Sequence, residues 1–121
     1  MSKKILIVDD AAFMRMTLKN IVIKKGYEVV GEAENGEEAI AKYSQLKPDL
    51  VTMDIVMLGM DGIATVKKLL ESDAKANIVM VSAMGQQALI VEAIQAGAKG
   101  FIIKPFTEES VLDELKRITG E

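Results

Sequence analysis

The sequence contains no cysteine and no histidine among its 121 residues. Without cysteine, the chain has no disulfide, no thiolate nucleophile and no Cys-zinc site. Without histidine, it lacks the base of most catalytic triads and the commonest ligand of transition metals. Any chemistry must therefore depend on carboxylates, lysines, hydroxyls and backbone groups.

Long apolar runs are also missing: none approaches the roughly 20 residues that a membrane-spanning helix needs. The apolar run that follows Lys3 and Lys4 is too short for the core of a signal peptide. The net charge is −3, with acids and bases interspersed, so no basic surface for nucleic acid is predicted. We therefore expect a cytoplasmic protein that binds neither membrane nor nucleic acid.

What the chain does contain is a fivefold alternation of strand and helix patterns. Hydrophobic residues make up 50% of the sequence, which is enough for one core, and no linker interrupts residues 1–121. Such βα units predict one domain with an open parallel sheet and helices on both faces. The predicted strands are 4–8, 28–33, 49–57, 77–82 and 100–103, and the predicted helices are 11–25, 37–47, 61–70, 86–96 and one capped by Thr107.

The third predicted strand carries one carboxylate, Asp54, within a nearly continuous apolar run. Runs of this kind are typical of strands buried on both faces of a parallel sheet. Burying an unpaired ionised carboxylate costs several kcal/mol. We therefore expect Asp54 at the carboxyl end of its strand, facing the crevice where open α/β sheets bind ligands.

Polar residues occur at the ends of four predicted strands, and the fold would bring them to one place. Three carboxylates in such a crevice repel one another, which raises their pKa values unless a cation is present. A cluster of oxygen ligands suits a hard cation such as Mg²⁺. The residues concerned are Asp9, Asp10, Asp54, Ser82 and Lys104.

These residues and their neighbours resemble the receiver domains of bacterial two-component response regulators. The motifs are Asp9-Asp10, Met53-Asp54, Ser82-Ala83 and Lys104-Pro105-Phe106, and segments 11–15 and 82–87 are similar to stand-alone chemotaxis regulators. The resemblance covers the whole chain. It implies a single receiver domain with a flavodoxin-like (βα)5 three-layer sandwich and strand order 2-1-3-4-5.

The resemblance also implies a metal site and a phosphorylation site. Asp54 would be the phosphoacceptor, and with Asp10 and the backbone carbonyl of Val56 it would ligate Mg²⁺. Asp9 would assist through a water molecule, and Lys104 would contact the phosphoryl oxygens.

Two further residues would report phosphorylation to a partner. Ser82 would bond the phosphate and Phe101 would act as an aromatic switch. The Lys104–Pro105 peptide would be cis, which is uncommon enough to be a deliberate feature. On helical spacing we expect Ile90 and Ala93 to form the partner surface together with Phe101.

The implied function is that of a stand-alone chemotaxis regulator. It would take a phosphoryl group from a histidine kinase, or from a small acyl phosphate, and signal by contact with the flagellar motor switch. The donor histidine must belong to another protein, because this chain has none. We expect a monomeric signalling protein that catalyses its own phosphorylation and dephosphorylation, with a possible phosphatase partner. The alternative is a phosphorelay intermediate or an isolated receiver from a longer regulator.

Two other classes of protein are less compatible with the sequence. An FMN module would have a hydroxyl- and glycine-rich loop after the first strand, where this chain has Asp9 and Asp10. An aspartyl-nucleophile phosphatase would have a second Asp two residues after Asp54, where this chain has Val56. Leu58 and Gly100 depart from the usual Pro and Asp of receivers, which affects loop rigidity and output detail.

Overall fold

The central strand of the sheet is β3, which is buried along its whole length. This computed structural model describes residues 3–57 and 59–120, so Leu58 lies outside the described residues. The sheet has the order β2-β1-β3-β4-β5, and all of its pairs are parallel. The flavodoxin-like (βα)5 fold and its strand order are thereby confirmed. The elements are β1 (Lys4–Val8), α1 (Ala12–Lys24), β2 (Glu28–Ala33), α2 (Gly36–Leu46), β3 (Leu50–Asp54), α3 (Gly62–Ser72), β4 (Ile78–Ala83), α4 (Gln87–Ala96), β5 (Gly100–Lys104) and α5 (Glu108–Thr119).

Each face of the sheet has its own apolar core, because successive side chains of a strand point to opposite faces. Ile5 and Ile7 of β1 pack with residues of α1 and α5, such as Leu18 and Leu115. The alternate residues of β1 pack with α2, α3 and α4 on the other face. Because the central strands β1, β3 and β4 are covered on both faces, the polar groups of these strands can reach solvent only at the strand ends.

Side-chain caps begin three of the helices, and the cap at Thr107 is as predicted. Asn35 accepts a hydrogen bond from the Glu38 N–H, and Asp61 accepts one from the Ala64 N–H. Thr107 and Ser110 form a capping box at the start of α5. The segments that follow β2, β3 and β5 are therefore fixed where they enter their helices.

β3 is shorter than the predicted 49–57 at both ends. Asp49 precedes it, with its carboxylate accepting a hydrogen bond from the Lys4 N–H at 2.8 Å. After Asp54 the chain turns, and the Gly62 N–H donates to the Ile55 carbonyl at 2.8 Å. A Cβ at Gly62 would lie 2.3 Å from the Asp54 carbonyl oxygen, so only glycine allows α3 to begin so close to the end of β3.

Among the described residues, no helix combines the length and apolar character needed to cross a membrane.

Candidate functional site

Three carboxylates meet at the carboxyl ends of β1 and β3, which are neighbours in the sheet. Asp9 and Asp54 are buried, with 1% and 8% of their surface exposed, and Asp10 is exposed. One oxygen from each carboxylate lies within 4.8 Å of the other two. The predicted convergence of the three acids is correct, and their all-oxygen donor set fits a hard divalent cation.

Asp9 is held from two directions. Its carboxylate accepts a hydrogen bond from the Ala11 N–H at 2.9 Å, and its backbone carbonyl accepts one from Arg15 Nη1 at 2.7 Å. Arg15 is not among the residues that the sequence predicts for the site. The available signal was the spacing, because an arginine on the second turn of a helix can reach back to the residue before the helix.

Lys104 supplies the positive charge of the site. Its Nζ lies 3.5 Å from Asp9 Oδ2 and 3.6 Å from Asp54 Oδ1, and its side chain is mostly buried. Lys104 is the last residue of β5, and the peptide that follows it, Lys104–Pro105, is cis as predicted. The lysine thus spans the distance from the edge strand to the central carboxylates.

The electrostatics of Asp54 follow from this arrangement. Burial, together with the negative charges of Asp9 and Asp10, raises the pKa of Asp54 to about 6. The positive charge of Lys104 and a hydrogen bond from the Val56 N–H act in the opposite direction. The uncompensated part of this repulsion is what a bound cation would relieve.

Ser82 lies at the end of β4, one residue beyond Val81, which is the register partner of Asp54. Its side chain is fully buried, and its hydroxyl has no hydrogen-bond partner among the residues that the structure describes. A buried hydroxyl without a partner is costly and therefore requires an explanation. A group bound at the strand ends could supply the missing acceptor.

Comparison with known proteins decides the family. The model of the response regulator receiver domain matches residues 5–116. The chain belongs to the response regulator receiver domain family. Chemotaxis protein CheY of Thermotoga maritima is 57% identical over 119 residues, which cover 98% of this chain and 99% of that protein. The CheY of Bacillus subtilis is also 57% identical, over 97% of this chain and 98% of that protein.

Solved structures show the same likeness. A CheX-CheY-BeF3-Mg complex from Borrelia burgdorferi includes a chain that superposes on this receiver domain with a TM-score of 0.92. It is 36% identical in sequence, and the match covers 96% of this chain and 88% of that one. The response regulator domain of Thermotoga maritima CheB gives a TM-score of 0.88 at 35% identity, covering 100% of this chain and 98% of that one.

The predicted partner surface of this receiver needs correction. Ala93 is fully buried and Ile90 is 8% exposed, because both residues of α4 pack into the core beneath it. The exposed large hydrophobic residues of α4 are Val91 and Ile94. This helix is apolar on nearly all sides, so its periodicity could not show which face meets the sheet.

Phe101 does lie on the surface, with 42% of its area exposed. It lines an apolar groove of about 450 Å³ between α4 and β5. The groove is also lined by Ile90, Val91, Ile94 and Ile103. We refer to these residues, with Phe101, as the α4–β5 groove.

Two side chains of α5 leave no room for a side chain at position 100, which accounts for the glycine there. A Cβ there would lie 2.2 Å from a carboxylate oxygen of Glu114 and 2.6 Å from Arg117 Nη2. Glu114 accepts a hydrogen bond from the Phe101 N–H at 2.9 Å, and Arg117 donates to the Lys99 carbonyl at 2.9 Å. The glycine therefore makes room for an ion pair that covers part of the free edge of β5.

Proposed function

We propose that this receiver domain is a chemotaxis response regulator whose Asp54 accepts a phosphoryl group from a histidine kinase in a Mg²⁺-dependent reaction. The observation that supports this most strongly is the position of Asp54. It is a buried carboxylate at a strand end, with one oxygen 3.6 Å from Lys104 Nζ and two further acids beside it. Curated CheY proteins match the chain over nearly its whole length, which supports the chemotaxis assignment.

The metal would be held by Asp10, Asp54 and the backbone carbonyl of Val56, with Asp9 acting through water. Bound there, Mg²⁺ would neutralise charge that develops on the phosphoryl oxygens. The same cation would offset the burial and the charge repulsion that together raise the pKa of Asp54 to about 6. The carboxylate, already mostly ionised at neutral pH, would then stay ionised at lower pH and remain available as a nucleophile.

In the transfer step, an oxygen of Asp54 forms a bond to phosphorus. The bond between phosphorus and the imidazole nitrogen of the donor breaks, and the nitrogen keeps the electron pair. Lys104 turns from the carboxylates towards a phosphoryl oxygen. The hydroxyl of Ser82 donates a hydrogen bond to another phosphoryl oxygen. The site therefore promotes the transfer by positioning the reactants and by stabilising charge.

Incubation with acetyl phosphate and Mg²⁺ tests this assignment, because a small acyl phosphate needs no kinase. We expect one added phosphoryl group, mapped to Asp54 after borohydride reduction and mass spectrometry. Asp54→Asn should abolish the modification, whereas Asp113→Asn, which changes an exposed acid of α5, should leave it intact. Modification of another residue in the parent protein, or none, would overturn the proposal.

For output, we propose that the α4–β5 groove binds a segment of the flagellar motor switch protein after phosphorylation. Ser82 and Phe101 would link the phosphoryl group to the groove, since they lie on the adjacent strands β4 and β5. The phosphoryl group can favour partner binding only if it stabilises one conformation of Ser82 and Phe101 more than another.

A binding titration of the phosphorylated protein with a motor switch peptide tests the groove. Ile94→Asp should weaken binding at least tenfold, and Ile23→Asp is the matched control, because Ile23 is an exposed isoleucine on α1. Equal affinity of Ile94→Asp and the parent would show that the partner binds elsewhere.

Taken with the phosphorylation site, this output makes the proposed protein a cytoplasmic signalling protein whose only catalysis is its own phosphorylation and dephosphorylation.

A further inference from the structure

Arg15 of α1 has a largely buried side chain that contacts three other residues. Its side chain is 11% exposed, and its Nε lies 3.0 Å from Glu32 Oε1. Its Nη1 donates to the Asp9 carbonyl at 2.7 Å, and its Nη2 lies 3.6 Å from Glu34 Oε1. Each guanidinium nitrogen thus contacts a different residue, so one side chain joins the end of β1 to β2 and to the segment that follows it.

The contact with the Asp9 carbonyl adds to the hydrogen bond that the Asp9 N–H donates to the Ala33 carbonyl at 3.0 Å, so Arg15 holds the carbonyl side of a backbone that is otherwise tied, among the described residues, only through its N–H. Asp9, Asp10 and Asp54 repel one another when no cation is bound, and the segment carrying Asp9 and Asp10 could reduce the repulsion by moving away. The planar fork of an arginine loses little freedom for each hydrogen bond that it forms, which makes it an effective tether. With Arg15 in place, the acids stay close enough to share a cation.

We propose that Arg15 is a positioning residue for the cation site, which holds the main chain at Asp9 and thereby sets the affinity for Mg²⁺. This inference rests on the proposed function. Arg15 contacts the ligand-bearing backbone through Asp9 and acts on the cation only through it. Groups that orient metal ligands typically change metal affinity by about 10–100-fold when they are removed.

Charge alone predicts the opposite effect. Removing a cationic side chain leaves the site more negative, which would strengthen Mg²⁺ binding. Positioning predicts weaker binding, because the freed segment must be ordered again when the cation binds. The sign of the change in Mg²⁺ affinity therefore distinguishes the two explanations.

Lys19 provides a matched control on the same helix. Its Nζ lies 3.5 Å from Glu32 Oε2, so it shares an acidic partner with Arg15, and its ion pair in the described part of the chain is with that residue. Lys19→Gln removes one positive charge near Glu32 and leaves the tether to Asp9. Arg15→Gln removes both the charge and the tether.

The experiment measures the Kd of Mg²⁺ by titration calorimetry for the parent and both variants, with thermal unfolding in EDTA as a folding check. We expect a Kd about tenfold higher for Arg15→Gln and an unchanged or lower Kd for Lys19→Gln. In phosphorylation by acetyl phosphate, the half-saturating Mg²⁺ concentration should rise by the same factor for Arg15→Gln. The rate at saturating Mg²⁺ should stay close to that of the parent.

An unchanged or lower Kd in Arg15→Gln, or an equal increase in Lys19→Gln, would overturn the inference. If Arg15→Gln does not fold, Arg15→Lys decides the question, because lysine keeps the charge and loses the fork. Its Kd should then also rise, and an unchanged value overturns the inference. A parent protein that binds no Mg²⁺ would overturn the proposed function together with this inference.

Discussion

Replacing Asp54 by asparagine should stabilise the protein when no cation is present. An acid whose pKa is raised by folding is harder to ionise in the folded state than in the unfolded state, so its ionised form opposes folding. The pKa of Asp54 rises from 3.8 to about 6, a difference of about 2 units. At about 1.4 kcal/mol per unit, this is on the order of 3 kcal/mol of lost stability at neutral pH.

The pH dependence has a definite sign. Above pH 6 both states of the parent are ionised and the full destabilisation is present. Between about pH 6 and pH 4 the folded state takes up a proton that the unfolded state does not yet bind, so the parent becomes more stable relative to the asparagine variant. The advantage of Asp54→Asn should therefore be largest above pH 6 and should disappear below about pH 4.

Urea unfolding followed by far-ultraviolet circular dichroism measures this advantage, with EDTA present at each pH. The difference between variant and parent cancels the contributions of acids that both proteins share. Asp113→Asn is the control and should change the free energy of unfolding by less than about 0.5 kcal/mol. An Asp54→Asn variant no more stable than the parent at pH 7.5, or an advantage that does not shrink towards pH 4.5, would refute the reasoning.

Three further predictions concern the same strand ends. Asp10→Asn should raise the melting temperature in EDTA by relieving repulsion and should remove the increment that Mg²⁺ gives the parent; equal Mg²⁺ increments in both would count against Asp10 as a ligand. Gly62→Ala should destabilise the protein by about 2 kcal/mol or more, because its Cβ would approach the Asp54 carbonyl to 2.3 Å; a urea midpoint equal to that of the parent would contradict this. Ser82→Ala should leave the unmodified protein as stable or about 1 kcal/mol more stable, since it removes a buried hydroxyl without a partner among the described residues, and it should shorten the lifetime of the phosphorylated form. A less stable variant with an unchanged lifetime would contradict both expectations.

The sequence predicts the fold well because each local signal agrees with the others. The β-branched runs, the caps at Asn35, Asp61 and Thr107, and the charge of Asp54 within an apolar run each permit few arrangements. Since parallel strands end at one edge of the sheet, locating the strands also locates Asp9 and Lys104 relative to Asp54. The acidic cluster could therefore be predicted from residue types and spacing.

Two features of the site could not be predicted from the sequence: which face of α4 is exposed, and the contacts of Arg15. The surface position predicted for Ile90 and Ala93 is wrong because α4 is apolar on nearly all sides, and only tertiary packing decides which apolar face is covered. Arg15 lies outside the predicted site because its spacing from Asp9 only permits the contact, whereas packing against β2, through Glu32, places the guanidinium there. Helical periodicity describes one element at a time and carries no information about such contacts.

In the unmodified site, Asp54, Ser82 and Lys104 each lack a favourable interaction. Burial and the negative charges of Asp9 and Asp10 raise the pKa of Asp54, and the hydroxyl of Ser82 lacks an acceptor among the described residues. Lys104 is shared between two acids at 3.5 and 3.6 Å, longer than the roughly 2.7–2.9 Å of a strong charge-assisted hydrogen bond. A bound cation would stabilise the ionised Asp54, and the oxygens of a phosphoryl group would accept hydrogen bonds from Ser82 and Lys104. Each of these interactions forms only when the site is occupied, so each can stabilise one conformation more than another. Such a difference in stabilisation is what allows phosphorylation to shift a conformational equilibrium.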